Sequence, residues 1–387
     1  MHGLLTWPAG RPRVLVTDGW LANAGDAAIA LAVDRLVRTA APGAAVLFAA
    51  YQHELCAADC PGLALVPPLD ALLGISIAPR HAPLDAGSAE ALVRGADLVV
   101  SQGGGFLLER YLPWSRLQAL AAVADLGLPL AIVGQTIGRF DDAKARRLLG
   151  HALRAARLVA VRDRGSLVGV ADLGIDPSAV LVGSDLTLCL LDGPVDGDRA
   201  GIGVVVTGGV AVTSAAADLV AAEVLHDVLA LTADEVVRVF SSAQGVEGPG
   251  IEDDRPIAGS AIGTLGDTER ARVVHVEHHV GPWELLATVA SCRAVVSMRL
   301  HPALLAMAVG TPAALLSEAA KVGALDGAEV PICRQPAAKS CRADAIRAAL
   351  DPRAPAGPAL WDALAEPRAR AGRTADALIR LVAEIAG

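Results

Sequence analysis

Val296-Ser297-Met298-Arg299-Leu300-His301-Pro302 has the composition of a buried strand that gives way to a helix. The apolar run Ala294–Val296 predicts the strand. Pro302 predicts the first helical residue, because a proline there forfeits only an N–H that would be unpaired anyway. His301 then falls at the cap, with Arg299 in the turn between the two elements. The free N–H groups of a helix start favour anions. An arginine and an imidazole beside them predict a binding site for phosphate or carboxylate. A buried strand rarely delivers an arginine to such a turn without a partner for its charge, so Arg299 and His301 are the first candidate site residues.

The same strand–turn–helix unit recurs along the chain. Val14–Thr17 is predicted as a strand, Gly25–Thr39 as an amphipathic helix and Val46–Ala49 as the next strand. Leu98–Ser101, Leu130–Val133, Leu158–Val161 and Val180–Val182 follow, each ending in a polar or glycine-rich turn. Leu191–Arg199, rich in Gly, Pro and Asp, reads as a linker. The pattern then restarts with strands at Ile202–Val206, Val236–Phe240, Val273–Val276, Ala294–Val296 and Ala313–Leu316. Strands that alternate with helices imply parallel sheets. The expected fold is therefore α/β, two Rossmann-like domains over residues 1–192 and 200–350 whose parallel sheets face a cleft. A helical region over 357–387 is expected to pack back on the first domain. In open sheets of this kind ligands bind beyond the carboxyl ends of the strands, where all of these turns lie.

Composition narrows the class. At 387 residues the chain exceeds one ordinary core. Its 53% hydrophobic content comes from Ala, Val and Leu, with only 3% aromatic residues, which suits α/β architecture better than a β-sandwich. Leu117–Ile137, the longest apolar region, is broken by Asp125, Gly127 and Pro129, so it divides into a helix and a strand rather than spanning a membrane. No signal-peptide pattern opens the chain, and a cytoplasmic location is expected. A formal net charge of −9 argues against a nucleic-acid partner. Lysine occurs only at 144, 321 and 339, so arginine carries most of the cationic chemistry. The six cysteines lack a repeated spacing, and His53, Cys56 and Cys60 have no matching pair at zinc-site distance; neither a metal nor a cofactor is expected.

Several turns hold further candidates, each with a structural alternative. Asn23-Ala24-Gly25-Asp26 opens the first helix; Asn23 or Asp26 would serve as a helix cap, while Gly25 permits close approach of a ligand. Gln102-Gly103-Gly104-Gly105 leaves backbone N–H groups to face a ligand or forms a plain tight turn. Neither the spaced dinucleotide fingerprint nor a Walker lysine accompanies it. Arg162-Asp163-Arg164 at a strand end is either a solvated ion-pair cluster or a site group, and Asp185 after Gly183-Ser184 has the same two meanings. Ser241 ends a strand of the second half, and Glu252-Asp253-Asp254 precedes a helix whose dipole it would complement.

Taken together the segments resemble the polysaccharide pyruvyl transferase family. The matching positions are Asn23, Gly25 and Asp26; Gln102–Gly105; Gly134-Gln135-Thr136-Ile137-Gly138; Arg162-Asp163 and Ser166; Gly183-Ser184-Asp185; Glu252-Asp253-Asp254; and Ser297, Arg299-Leu300-His301, Ala306, Gly310, Pro312 and Lys321. The resemblance covers most of residues 14–325. It implies a two-domain fold of the glycosyltransferase type called GT-B, and transfer of pyruvate from phosphoenolpyruvate to two hydroxyls of a glycan sugar as a cyclic ketal, with release of phosphate. On that basis His301 and Asp26 are expected to be catalytic. Arg299, Asn23, Gly25, Gln102, Gly103, Gly104, Gln135, Arg162, Asp185, Ser241 and Lys321 are expected to bind substrate.

The expected partners are phosphoenolpyruvate and a glycan or lipid-linked sugar. A lipid-linked acceptor would bring the protein to a membrane surface, although no basic amphipathic segment declares this, and a homo-oligomer is compatible with the sequence. Two alternatives stay open: a glycosyltransferase or sugar-nucleotide enzyme on the same scaffold, and a sugar- or anion-binding relative without catalysis.

Overall fold

The computed structural model describes residues 7–75, 86–111, 114–207, 214–232, 234–245, 253–318, 323–328, 330–335 and 339–387. It divides into two compact units, each with its own parallel sheet. The first comprises Met1–Leu21, Asp26–Leu190 and Arg368–Gly387; the second comprises Leu191–Pro367 together with the four residues Ala22–Gly25.

The first sheet holds Arg13–Gly19 (β1), Ala45–Ala50 (β2), Ala64–Val66 (β3), Leu98–Ser101 (β4), Gly104–Leu107 (β5), Leu130–Ile137 (β6), Leu158–Val161 (β7) and Leu181–Val182 (β8). Their order is β3-β2-β1-β4-β6-β7-β8, with β5 pairing β6. The second sheet holds Ile202–Val205 (β9), Val237–Ser241 (β10), Val273–His279 (β11), Ala294–Ser297 (β12), Ala313–Glu318 (β13) and Ile332–Gln335 (β14), in the order β11-β10-β9-β12-β13-β14.

Central strands such as β4, β9 and β12 are buried at every position. A parallel sheet covered by helices on both faces demands such unbroken apolar runs, not an alternating pattern. Separate buried clusters result, one around Leu15, Val99 and Ile132 and the other around Val204, Val239 and Val296. The carboxyl-terminal helix Ala365–Ala386 returns the chain to the first unit, where fully buried Arg370 donates from Nε to the Gly183 carbonyl at 3.0 Å. Among the described residues no helix is long and apolar enough to cross a membrane.

Two local expectations are corrected. Gln102–Gly105 is not wholly a turn, because Gly104 and Gly105 enter β5 and Gly104 pairs with Gln135. Backbone packing explains the glycines there: a Cβ on Gly103 would stand 2.9 Å from the Gly134 carbonyl oxygen, and Gly104 has φ +147° with the Phe106 ring against it. The helix after β12 begins at Leu300 with Arg299 as its cap, two residues before the start that Pro302 predicts. The Ser297 hydroxyl causes the difference. It accepts from Arg299 N at 3.0 Å and donates to Arg299 O at 2.7 Å, closing the turn early, and a proline in the third helical position still lies within the tolerant first turn.

Candidate active site

In the second unit the polar groups gather at the carboxyl ends of β10, β11 and β12. Helix Leu300–Ala308 presents its amino end there, with His301 as its second residue and 8% exposed. The cap residue Arg299, also 8% exposed, donates to Asp254 from Nε to Oδ2 at 2.5 Å and from Nη2 to Oδ1 at 2.8 Å. Asp254 is 1% exposed and stands at the start of helix Arg255–Gly263. The partner that Arg299 needs is thus a buried carboxylate gripped by both arms of a fork, the geometry in which a charge-assisted pair is strongest.

Ala22–Gly25 lies against the end of β10. Ala24 N donates to Ser242 O at 2.8 Å, Gln244 N donates to Ala22 O at 2.9 Å, and Asn23 forms an antiparallel bridge with Ala243. The Asn23 side chain accepts from Gly25 N at 2.9 Å and tightens the bend. Gly25 then passes directly over the imidazole: a Cβ placed on it would be 2.1 Å from His301 Nδ1. Asn23, Gly25, Ser241, Arg299 and His301, predicted from scattered segments, are brought to one end of the second sheet. Ser241 and Ser242 are fully buried, and among the described residues neither hydroxyl has a hydrogen-bond partner. Lys321 and Glu252 lie outside the described residues.

His279 was missed by sequence reasoning. It ends β11 opposite Ser241 and is 8% exposed. The available signal was its position, since it closes a strand whose neighbours close on site residues. Burial chiefly, then the nearby Arg255 cation, pushes its imidazole down from 6.5 to about 4, against the pull of Asp253. Between those values the unfolded chain binds the extra proton and the folded protein does not. Stability is therefore full above pH 6.5 and drains as pH falls toward 4, by at most about 3 kcal/mol. Melting temperature should accordingly fall more steeply over that interval in the wild type than in His279→Leu; parallel curves would contradict the assignment.

In the first unit the motif residues form a continuous buried network at the ends of β6, β7 and β8. Arg162 donates from Nε to Thr136 Oγ1 at 3.0 Å and from Nη1 to Asp185 Oδ2 at 3.1 Å. Thr136 Oγ1 donates to Asp163 Oδ2 at 2.9 Å, and Asp163 Oδ1 accepts from the Ser166 amide and hydroxyl. Asp185 also caps the turn through Thr187 N at 3.1 Å. The Arg162 and Asp185 side chains are only 3% and 0% exposed, so each of these groups is engaged with protein. Nearer β4, Gln102 donates from Nε2 to the Asp26 carbonyl at 3.2 Å, and the Gln135 amide bonds to the Gln102 carbonyl. Asp26, in the first turn of helix Ala24–Ala40, is 6% exposed. Asp26, Gln102, Gly103, Gly104 and Gln135 are therefore neighbours, while Arg162 and Asp185 belong to the adjoining brace.

Comparison with known proteins bears on both units. Residues 23–319 match the model of the family described as polysaccharide pyruvyl transferase. No curated protein sequence matches the chain. Among solved structures, the MnaA–UDP complex of S. aureus has a TM-score of 0.61 at 11% identity, covering 95% of each chain. Alr3699/HepE of Anabaena, in complex with UDP and glucose, has a TM-score of 0.59 at 12% identity, covering 97% of this chain and 99% of that one. The UDP-GlcNAc 2-epimerase of Neisseria meningitidis, bound to UDP-GlcNAc, gives 0.56 at 10% identity, covering 96% and 100%. These likenesses establish a two-domain fold of the GT-B kind and, at such low identity, the fold alone.

Proposed function

Because the chain belongs to the polysaccharide pyruvyl transferase family, we propose that it moves pyruvate from phosphoenolpyruvate to two hydroxyls of a glycan sugar, forming a cyclic ketal and releasing phosphate. The observation that carries this reading is the turn after β12, where Arg299 caps a helix start and the imidazole of His301, two residues on, lies under Gly25. Phosphoenolpyruvate offers a phosphate and a carboxylate, and both suit that combination.

The chemistry divides among these groups. A proton delivered to the methylene carbon makes C2 oxocarbenium-like, and the first sugar hydroxyl bonds to C2 while its proton passes to a base. Phosphate then leaves with the electron pair of its bond to C2, and the second hydroxyl bonds to C2 and closes the ketal as its proton passes to the departing phosphate. Arg299 holds an anionic group of the donor, and Asp254 fixes the plane of the guanidinium. His301 supplies the proton or hydrogen-bonds the departing phosphate. Asp26 accepts the proton of the attacking hydroxyl. Asn23, Gly25 and Ser241 complete the donor side, and Gln102, Gly103, Gly104 and Gln135 shape the approach to Asp26. Arg162 and Asp185, spent on each other, serve as the brace behind them. The transfer itself is the test: with phosphoenolpyruvate and a candidate glycan, phosphate should appear together with glycan heavier by one pyruvyl unit.

A further inference from the structure

A second cluster in the first unit is absorbed by none of this chemistry. Asp18, 3% exposed, has φ +73°, and Gln52 has φ +55°; among the described residues these are the only non-glycine positions with positive φ. They sit at the carboxyl ends of the adjacent strands β1 and β2. Sparsely populated backbone conformations persist where the surroundings impose them, and they concentrate at binding sites. Arg116 forms an ion pair from Nε to Asp18 Oδ1 at 2.9 Å, and Ser101 donates to Asp18 Oδ2 at 2.6 Å. Arg116 stands in the first turn of helix Trp114–Asp125, the end of the dipole that repels a cation. A position so unfavourable needs compensation, which Asp18 and two aromatic faces supply: the guanidinium carbon is 5.0 Å from the Tyr51 ring centroid and 4.5 Å from that of Phe106.

The rings themselves are unusual in this chain. It has five tryptophans, two tyrosines and four phenylalanines, yet Trp20 and Tyr51 directly follow β1 and β2, Phe106 lies in β5, and all three are partly exposed. The Tyr51 hydroxyl donates to buried Asp70 at 3.1 Å, and Trp20 Nε1 donates to Gln52 at 3.4 Å. The tips of Tyr51 and Trp20 are tied down in this way, and Arg116 packs on one face of Tyr51 and of Phe106, leaving part of each of the three rings exposed as an apolar face. Such faces carry the negative side of the aromatic quadrupole, which suits the C–H face of a pyranose, and neighbouring carboxylates and amides suit its hydroxyls.

We propose that Trp20, Tyr51 and Phe106, held rigid around the Asp18–Arg116 pair, form the subsite that grips a pyranose ring of the acceptor. Calling this sugar the acceptor rests on the transferase reading above; the sugar site as such does not. Saturation-transfer NMR with the methyl glycosides of glucose, galactose, mannose and N-acetylglucosamine is the test. At least one should receive saturation at its ring C–H protons from the wild type, and Phe106→Ala should lose that signal by tenfold or more. Phe106→Leu, which fills the space without a π face, should lose it as well, guarding against misfolding of the smaller variant. Stabilisation by phosphoenolpyruvate should be the same in both variants as in the wild type. Equal sugar signals in wild type and both variants, or none in the wild type, would overturn the subsite. Sugar binding by a wild type that phosphoenolpyruvate fails to stabilise would keep the subsite and remove the donor assignment instead.

Discussion

Gly25→Ala should lower catalytic efficiency with phosphoenolpyruvate by at least about a hundredfold, the scale expected when a reacting group is misplaced by an ångström. The added Cβ would lie 2.1 Å from His301 Nδ1, 2.3 Å from Cγ and 2.4 Å from Cβ, far inside any tolerated contact. The φ of Gly25 is not in the left-handed region, so the clash alone decides the outcome. Relief requires either the imidazole to swing away or Ala22–Gly25 to lift from the end of β10. The second route sacrifices the bonds from Ala24 N to Ser242 O and from Gln244 N to Ala22 O. A stability loss of about 1–3 kcal/mol, typical of overpacking, should accompany the kinetic defect. Steady-state kinetics and a urea melt check both quantities, and a Gly25→Ala enzyme with wild-type efficiency would mean that His301 does not act where it stands.

Removing either partner of the Arg299–Asp254 pair should destabilise the protein by about 3–5 kcal/mol, because the survivor becomes a buried, uncompensated charge. The side chains are 8% and 2% exposed, so solvent can do little to relieve it. Asp254→Leu and Arg299→Met should each show that loss in urea melts. The double variant should recover most of the stability, since two apolar groups of similar volume leave no charge behind. Activity separates the two roles of the pair, because the double variant should fold and still fail to turn over phosphoenolpyruvate. Arg299→Lys keeps the charge but not the fork, and should retain stability better than Arg299→Met while losing most turnover. A double variant as active as the wild type would reduce Arg299 to a structural residue.

The two parallel sheets were legible in the sequence because strands buried on both faces read as short apolar runs between helical stretches. The turn after β12 was equally legible, since Ser297, Arg299 and His301 follow such a run directly. The partners were not. Asp254 lies far from Arg299 in the chain, and an acid before a helix already has a sufficient local explanation in the dipole. Arg162 and Asp185 each end a strand, and what the sequence does not show is that strand ends also meet one another, so that the two charges pair within the fold. Asp18 escaped notice for a related reason. Nothing beside it suggests a left-handed backbone, and its partner Arg116 belongs to a helix whose composition reads as ordinary. Local pattern fixes which residues reach the ends of the strands; tertiary pairing decides which of them are already engaged there.

The most direct test of the central claim is a mass balance on the purified protein supplied with phosphoenolpyruvate and an acceptor glycan. Inorganic phosphate and pyruvylated glycan should form in equal amounts, with neither appearing when the glycan is withheld. Phosphate released without any gain in glycan mass, or turnover of a UDP-sugar with phosphoenolpyruvate left intact, would contradict it.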